Sequence, residues 1–216
     1  MAKFIGVSGI AGSGKDLFCE KVKNFYDKNK NLNRNVFILS LANKLKNDVR
    51  KSCLDIYGID SVNATREEKN KIRDLLVFYG DVMRQNSKGT YWYKHLDKEV
   101  VKREKAGEIN ENDLVLISDI RYAEFKKDEI SWVKSKESGV LVHIKKYSEF
   151  DIPLKPGYHL NKHYASPPNK KERENDPKVQ EAADYLVDWP EFKTEKDSGS
   201  EEYVKNFCDW YEERIQ

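Results

Sequence analysis

An apolar segment that ends in a glycine-rich turn and a lysine constrains this chain more than any other feature. Residues 3 to 24 read KFIGVSGIAGSGKDLFCEKVKN, and a helical pattern follows the turn. Glycines at 9, 12 and 14 would let successive backbone N–H groups turn inward around an anion, and Lys15 would reach its outer phosphates. The pattern predicts a phosphate-binding loop between a strand and a helix. Its candidate nucleotide-binding residues are Gly9, Gly12, Ser13, Gly14, Lys15 and Asp16.

Asp16 occupies the position at which such loops usually carry Ser or Thr, whose hydroxyl contacts magnesium. A carboxylate there brings a full negative charge, which a metal ion or neighbouring cations must balance. The alternative is a glycine-rich turn between strand and helix that binds no ligand. The spacing of the glycines, the lysine and the strand-to-helix context would then all have to coincide by accident.

The composition excludes several classes of partner. The 216 residues are enough for one α/β core with a small insertion. Charged residues make up 35% of the chain, and their positive and negative charges nearly cancel, to a formal net charge of +2. No field of one sign therefore points to stable nucleic-acid binding or to an acidic membrane. The apolar runs are too short to cross a bilayer, and Met1-Ala2-Lys3-Phe4 leads directly into a strand. We expect a cytoplasmic protein whose partners are small molecules.

Short apolar runs that recur along the chain predict the fold. Segments long enough to hold a helix separate these runs, as parallel crossovers require, and the runs are nearly unbroken, as in sheets covered on both faces. We therefore predict a single α/β domain over residues 1–216, a three-layer sandwich around a central parallel sheet, with a C-terminal helix over 200–216. The predicted strands are 4–8, 36–41, 114–118, 140–144 and 185–187.

Residues 147–179 differ in character from the rest of the chain. The segment is rich in proline, asparagine and charge and shows little apolar periodicity. It separates the last two predicted strands and carries Lys170, Lys171 and Arg173. These features indicate either a surface loop or a lid that closes over a bound nucleotide.

A second informative segment is Thr65 to Gln85, TREEKNKIRDLLVFYGDVMRQ. Thr65 and Glu68 form a capping box, and apolar residues recur at helical spacing, so the segment predicts one amphipathic helix. Arg73 and Arg84 are eleven residues apart and fall on one line of that helix, with Gly80 between them. Two aligned guanidinium groups beside a glycine suit a phosphate monoester that approaches the backbone. An ordinary solvated face with a tolerated glycine is the alternative.

The third informative segment is Leu114 to Arg121, LVLISDIR. An apolar strand that ends in Asp119 places this carboxylate at the carboxyl edge of the sheet, where open α/β folds bind ligands. Asp119 is therefore a candidate ligand of magnesium or partner of an acceptor, and Arg121 could bridge two phosphate groups. A turn residue at a strand end without any function is the alternative for Asp119.

The three segments together resemble the bacteriophage-type deoxynucleoside monophosphate kinases, and also animal phosphomevalonate kinase. The resemblance lies in GKD in place of GKS at the loop, in Arg73-x6-Gly80-x3-Arg84-Gln85, and in Ser118-Asp119-x-Arg121 at a strand end. The segment 89–92, Gly-Thr-Tyr-Trp, is similar to a tryptophan-bearing segment of the viral enzymes. The sequence departs from the family after Arg121, where the common Phe-Pro-Asn-Glu is Tyr-Ala-Glu-Phe and Glu124 falls one position early.

The resemblance implies the P-loop nucleoside monophosphate kinase fold and transfer of the γ-phosphoryl group of ATP to a deoxynucleoside monophosphate. It implies magnesium at Asp16 and Asp119, and catalytic roles for Lys15, Asp16, Asp119 and Arg121. It also implies a cytoplasmic enzyme, in the host cytoplasm if viral, and the family is often a homodimer. The acceptor-binding residues it implies are Arg73, Gly80, Arg84, Gln85, Gly89, Thr90, Trp92, Asp119, Arg121 and Glu124.

Two other classes of function remain open at this point. A phosphomevalonate-kinase-like enzyme acting on another small phosphorylated metabolite would use the same residues, without aromatic groups that stack on a base. The aromatic residues Tyr91, Trp92 and Tyr93 favour a nucleotide acceptor. A P-loop NTPase that acts as a switch would hydrolyse nucleotide without an acceptor and would leave the Arg73, Gly80 and Arg84 pattern unexplained.

Overall fold

A mostly parallel β-sheet forms the centre of the computed structural model, which describes residues 1–149, 162–192 and 199–215. The strands of the described part are β1 Lys3–Ser8, β2 Val36–Ser40, β3 Leu114–Ile120, β4 Val140–Glu149, β5 Lys162–Tyr164 and β6 Tyr185–Pro190. Its α-helices are α1 Lys15–Lys28, α2 Leu41–Tyr57, α3 Arg66–Lys71, α4 Arg73–Asn86, α5 Tyr91–Lys105, α6 Glu129–Lys134, α7 Lys170–Glu181 and α8 Gly199–Ile215.

Strand β1 lies between β3 and β4, with β2 outside β3 and β6 paired to β4, and all of these pairings are parallel. The chain thus crosses from one side of β1 to the other, and such a reversal opens a crevice at the carboxyl ends of the strands. The five predicted strands are confirmed. The short strand β5 was not predicted, and it pairs antiparallel with the last three residues of β4.

Alternate residues of the central strands enter two separate cores. Ile5 and Leu116 belong to a core with residues of α1 and α8, whereas Phe4 and Val115 belong to a core with residues of α2, α5, α6 and α7. Because both faces are covered, the strands need no polar face, which explains their unbroken apolar sequences. The molecule is an α/β protein, and helices on both faces are compatible with the predicted three layers.

The prediction of one continuous helix from Thr65 to Gln85 is wrong. The capping box of Thr65 and Glu68 is present, but the helix it starts is the short α3, and α4 begins after Ile72. Ile72 has a ψ of 4°, outside the range of a regular helix, and its side chain is buried against α2 in a third core cluster. The break between the two helices therefore falls at a buried side chain, although the apolar periodicity continues through it.

The segment 147–179, predicted as a surface loop or lid, is only partly described. Its first residues extend β4, its later residues form β5 and α7, and residues 150–161 lie outside the described part. Val179 of α7 is buried in the second core. The C-terminal helix predicted over 200–216 corresponds to α8. Among the described residues, no helix combines the length and the apolar character needed to span a bilayer.

Candidate active site

The glycine-rich loop between β1 and α1 is shaped by its three glycines. Gly9, Gly12 and Gly14 all have positive φ, of 137°, 82° and 94°. A Cβ atom on Gly9 would lie 2.5 Å from the carbonyl oxygen of Ile144, and one on Gly14 would lie 2.7 Å from the ring of Trp189. Side chains at these two positions would therefore clash as well as strain the backbone, so the neighbouring strands fix the path of the loop.

The polar groups of the loop leave donors available for an anion. Within the described residues, the N–H groups of Gly14, Lys15 and Asp16 at the start of α1 have no hydrogen-bond acceptor. The Ser13 hydroxyl is buried and has no partner there either. Unpaired N–H groups at a helix N-terminus bind anions, because they add to the positive end of the helix dipole.

The side chain of Lys15 folds back over its own loop. Its Nζ donates to the carbonyl oxygens of Gly9 and Ile10, at 2.8 and 2.9 Å, and only 6% of the residue is exposed. Burial, with a contribution from the nearby charge of Arg121, lowers the pKa of this ammonium below its usual value. A buried cation in this loop is suited to bind an anion, whose charge would replace the hydration that the ammonium has lost.

Trp189 supports the loop from outside, and nothing in the sequence pattern pointed to it. Its indole N–H donates to the carbonyl oxygen of Ser13 at 3.0 Å, and its ring lies against Gly14 and packs edge-on against Phe18 at 6.0 Å. The loop is therefore held in place by β6 as well as by β1.

The pairing of β3 with β1 is irregular at Asp119. The pairing of β1 with β3 shifts register between Gly6 and Ser8, and Asp119 has a φ of 71°, which is rare for a residue with a side chain. The Ser40 hydroxyl, at the end of β2, donates to Asp119 Oδ2 at 2.8 Å. A strained residue held by a neighbouring strand is typical of functional sites.

Arg121 connects the end of β3 to the loop. Its guanidinium donates to Asp119 Oδ1 at 3.2 Å and to Glu172 Oε1 at 3.1 Å, and Glu172 Oε2 accepts the backbone N–H of Ala11 at 3.0 Å. Although burial raises the pKa of Asp119, the charges of Arg121 and Lys15 outweigh burial and hold it below its usual value. Asp119 is therefore ionised at neutral pH and balances part of the positive charge of the site.

Arg84 is turned into the protein. The residue is 2% exposed, and its guanidinium donates to Glu129 Oε1 at 2.8 Å and approaches Glu124 Oε2 at 3.4 Å. The guanidinium lies over the ring of Tyr122, 4.2 Å from its centroid. Its Nη2 atom is buried and has no partner among the described residues. An arginine with a spare donor nitrogen is a candidate phosphate ligand.

Glu129 joins Arg84 to Arg121. Its other carboxylate oxygen accepts the backbone N–H of Arg121 at 3.2 Å. Burial raises the pKa of this carboxyl group, against the opposing charge of Arg84. Glu124 likewise links helices, since it accepts from Gln85 at 3.5 Å and from Asn175 of α7 at 3.1 Å. Glu124 therefore contacts the arginine network despite its shifted position in the sequence.

Arg73 and Gly80 lie outside this network. Arg73 is exposed and donates to Asn70 at 2.8 Å, so the structure does not bring it to Arg84 or Arg121. The two arginines of α4 are eleven residues apart, which is about 16 Å along a helix, and the described contacts turn them to different partners. A Cβ atom on Gly80 would lie 3.7 Å from Leu45, an ordinary contact.

The segment 89–92 serves packing at most of its positions. Gly89 has positive φ, and a Cβ atom there would lie 3.0 Å from the ring of Phe125. The Thr90 hydroxyl donates to the Ser87 carbonyl oxygen at 3.0 Å. Trp92 is 6% exposed, belongs to the second core and donates to the Gly80 carbonyl oxygen at 3.2 Å. Its ring also borders a cavity, so Trp92 can pack in the core and contact a ligand in the cavity as well.

That cavity lies between α2 and α5, at the carboxyl end of β2, and has a volume of about 200 Å³. Its lining combines apolar and hydrogen-bonding side chains, and it includes Ser40, which holds Asp119. The cavity therefore adjoins the site at Asp119 and offers the mixed lining that small-molecule sites have. The principal lining residues are Ser40, Leu41, Asn43, Lys44, Trp92 and His95.

The donor set near the loop fits a magnesium ion held largely by phosphate and water. Asp16 is exposed, and both it and Asp119 act on the charge of Lys15. The described residues contain no group of three or more His, Cys, Asp or Glu side chains that could hold a metal by themselves. Magnesium commonly binds one or two carboxylates together with substrate phosphates, so two carboxylates beside a phosphate loop are sufficient.

No protein-family model matches the chain, and no curated protein is significantly similar to it.

Several residues of this site were not found from the sequence. Ser40, Glu129 and Trp189 approach it from β2, α6 and β6, and Glu172 approaches it from α7. Ser40 ends an apolar strand, as Asp119 does, which is the only local signal among the four. Glu129, Glu172 and Trp189 carry no such signal, because their segments have the composition of ordinary polar helices and core strands.

Proposed function

We propose that this protein is a nucleotide kinase that transfers the γ-phosphoryl group of ATP to a deoxynucleoside monophosphate. One observation carries the proposal. A loop amide, that of Ala11, and the guanidinium of Arg121 lie on opposite sides of one carboxylate group, that of Glu172. The loop and the end of β3 therefore bind one anionic group between them, and the loop has further unpaired N–H groups at residues 14 to 16.

The donor nucleotide would lie on the loop. The N–H groups of residues 14 to 16 would hold its inner phosphates, and Lys15 would leave the carbonyl oxygens of Gly9 and Ile10 for the outer ones. Asp16 and Asp119 would hold magnesium, directly or through water, and the ion supplies neutralisation of phosphate charge. In phosphoryl transfer, positioning and neutralisation of charge supply most of the rate, so this arrangement needs no nucleophilic side chain.

The acceptor would approach from the opposite side. Arg121 and the unpaired Nη2 of Arg84 are the donors that could hold its phosphate, and Glu129 ties the guanidinium of Arg84 to the backbone of Arg121. The cavity of about 200 Å³ beside Ser40 could receive the rest of the acceptor, with Trp92 as its apolar wall. The P-loop nucleoside monophosphate kinase fold is part of this proposal, and the strand order around β1 supports it.

The two rival functions predict different acceptors. A kinase of another small phosphorylated metabolite would use the same arginines but would not depend on an aromatic wall. A P-loop NTPase would need neither the cavity nor a second phosphate site. Arg84, buried with a spare donor, favours an enzyme with an anionic acceptor over the NTPase.

An assay of ADP release coupled to a panel of acceptors tests the proposal. The panel holds the four deoxynucleoside monophosphates, the matching ribonucleotides, phosphomevalonate and a blank without acceptor. We expect ADP release with at least one deoxynucleotide and slower release with ribonucleotides, since a pocket wall discriminates against an added hydroxyl by only about a hundredfold. Release with phosphomevalonate alone would support the metabolite kinase, and equal release in the blank would support the NTPase.

A further inference from the structure

Glu172 makes the bonds that a phosphate group would make. The residue is 5% exposed, and one carboxylate oxygen accepts the N–H of Ala11 at 3.0 Å. The other accepts from Arg121 and from the side chain of Asn169, each at 3.1 Å. Buried carboxylates and phosphates are bound by the same donors, namely backbone N–H groups and the fork of an arginine.

The position of this carboxylate conflicts with a bound triphosphate. In the proposed function the loop holds the donor phosphates and Arg121 holds the acceptor phosphate, so the transferred phosphoryl group passes between them, where Glu172 joins the Ala11 amide to Arg121. The charge of Glu172 also acts on Lys15. The Glu172 carboxylate and a phosphoryl group would repel each other strongly if both were bound to the Ala11 amide and Arg121. One of them must leave before the other binds.

We propose that Glu172 occupies the position of the transferred phosphoryl group until ATP displaces it, so that α7 shifts when the donor binds. This inference rests on the proposed function and names a residue that controls it. Until ATP binds, Glu172 neutralises the charges of Arg121 and Lys15 and keeps other anions away from these donors. Nucleotides that lack a γ-phosphoryl group compete with Glu172 less.

The same helix contacts the acceptor side. Lys171 forms an ion pair with Asp81 of α4. Asn175 donates to Glu124 at 3.1 Å and accepts the N–H of Ala123 at 3.3 Å. A shift of α7 at Glu172 therefore changes the partners of Glu124, which contacts Arg84. Binding of the donor nucleotide would in this way change the contacts of Arg84, which is proposed to hold the acceptor.

A purely structural role for Glu172 predicts something different. If the carboxylate only anchors the start of α7 to the loop, its removal loosens the helix and never strengthens nucleotide binding. If Glu172 competes with ATP, removing its charge should instead strengthen ATP binding, because Arg121 is then free.

Calorimetric titration of Glu172→Gln and of the unaltered protein with magnesium-ATP and magnesium-ADP separates the two roles. We expect the Kd for ATP to fall about tenfold and the Kd for ADP to change less than threefold. Glu174→Gln is the matched control, since Glu174 lies on the same helix, is exposed and pairs with Lys170. An ATP Kd that is unchanged or higher in Glu172→Gln, with ATP binding by the unaltered protein, overturns the inference and leaves the proposed function standing. Absence of binding to either nucleotide by the unaltered protein overturns both.

Hydrogen exchange on the unaltered protein tests the same inference without a variant, should Glu172→Gln fail to fold. Amides of α7 should exchange faster with magnesium-ATP than with magnesium-ADP or without nucleotide, because its anchor at Ala11 is released. Equal or slower exchange of α7 with ATP would show that the helix stays in place and would overturn the inference.

Discussion

The loop and the arginine network, which we propose bind the donor and acceptor phosphates, are built in different ways. The loop is formed by eight consecutive residues, and its glycines and the two strands that touch them fix its shape. The arginine network joins side chains from α4, α6, α7 and the end of β3, and ion pairs hold it together. The loop therefore owes its shape to backbone conformation, whereas the network depends on buried charge.

Arg84 should give the largest effect on this comparison. Arg84→Leu leaves Glu129 buried without its cation, and loss of one partner of a buried pair costs about 3 to 5 kcal/mol of unfolding free energy. Denaturant unfolding measures this. Arg73→Leu is the control on the same helix, and because Arg73 is exposed its cost should stay below about 0.5 kcal/mol. Equal costs for the two variants would show that the buried pair does not hold the network.

Lys15→Met tests whether the loop keeps its shape without its cation. The methionine preserves the apolar stem, and we expect turnover to fall at least a hundredfold, about 3 kcal/mol of barrier, because a preorganised cation is lost at the transferred group. Circular dichroism and cooperative unfolding should remain those of the unaltered protein. Turnover above a tenth of the original value would rule out a catalytic role for the loop lysine.

His143 makes the strands beneath the loop sensitive to acid. It is buried beside Ser8, and burial, with the charges of Lys145 and Lys15, lowers its pKa to about 4. Between pH 6.5 and pH 4 the unfolded chain binds a proton that the folded chain does not, so stability falls as pH falls through this window. We expect a loss of about 2 kcal/mol between pH 7 and pH 5.

His143→Gln should flatten this dependence, as measured by urea unfolding at several pH values. His95→Gln is the control, because it alters a histidine of the cavity lining and leaves His143 in place. If His143→Gln keeps the full slope between pH 7 and pH 5, another group is responsible for it.

Gly80→Ala should give the smallest effect and tests the acceptor side. The added methyl group would lie 3.7 Å from Leu45, which leaves room for it, and alanine in a helix is favoured over glycine by about 1 kcal/mol. We therefore expect a more stable protein, and if the acceptor approaches the backbone at Gly80 the added methyl group should also raise the KM for the acceptor and leave the KM for ATP unchanged. Greater stability with both constants unchanged would mean that Gly80 is a tolerated glycine and that no ligand approaches it.

Local sequence predicted the loop well. Gly9, Gly12 and Gly14 all adopt positive φ, and Lys15 folds back onto the loop at Gly9 and Ile10. Such a prediction works because a loop of consecutive residues between a strand and a helix has few conformations. The same holds for the capping box of Thr65 and Glu68, in which both hydrogen bonds join near neighbours in the chain.

The alignment of Arg73 with Arg84 could not be converted into a site in the same way. Helical periodicity gave their relative direction, but Glu129 lies 45 residues after Arg84, and no local rule pairs the two. The break at Ile72 was missed for a similar reason, since it depends on a core formed with α2. Helical periodicity predicts which residues share one face of a helix, but it does not predict which element packs against that face.

Local apolar runs and glycines were enough to predict five of the strands, their parallel arrangement and the conformation of the loop between β1 and α1. Tertiary structure alone decided which carboxylates accompany the cations. Ser40 and Arg121 meet at Asp119, and Glu172 reaches Ala11 across 161 residues of chain. The physical reason is that a buried charge accepts any partner of opposite sign that the fold brings within hydrogen-bonding distance, and that choice is made by packing of whole elements.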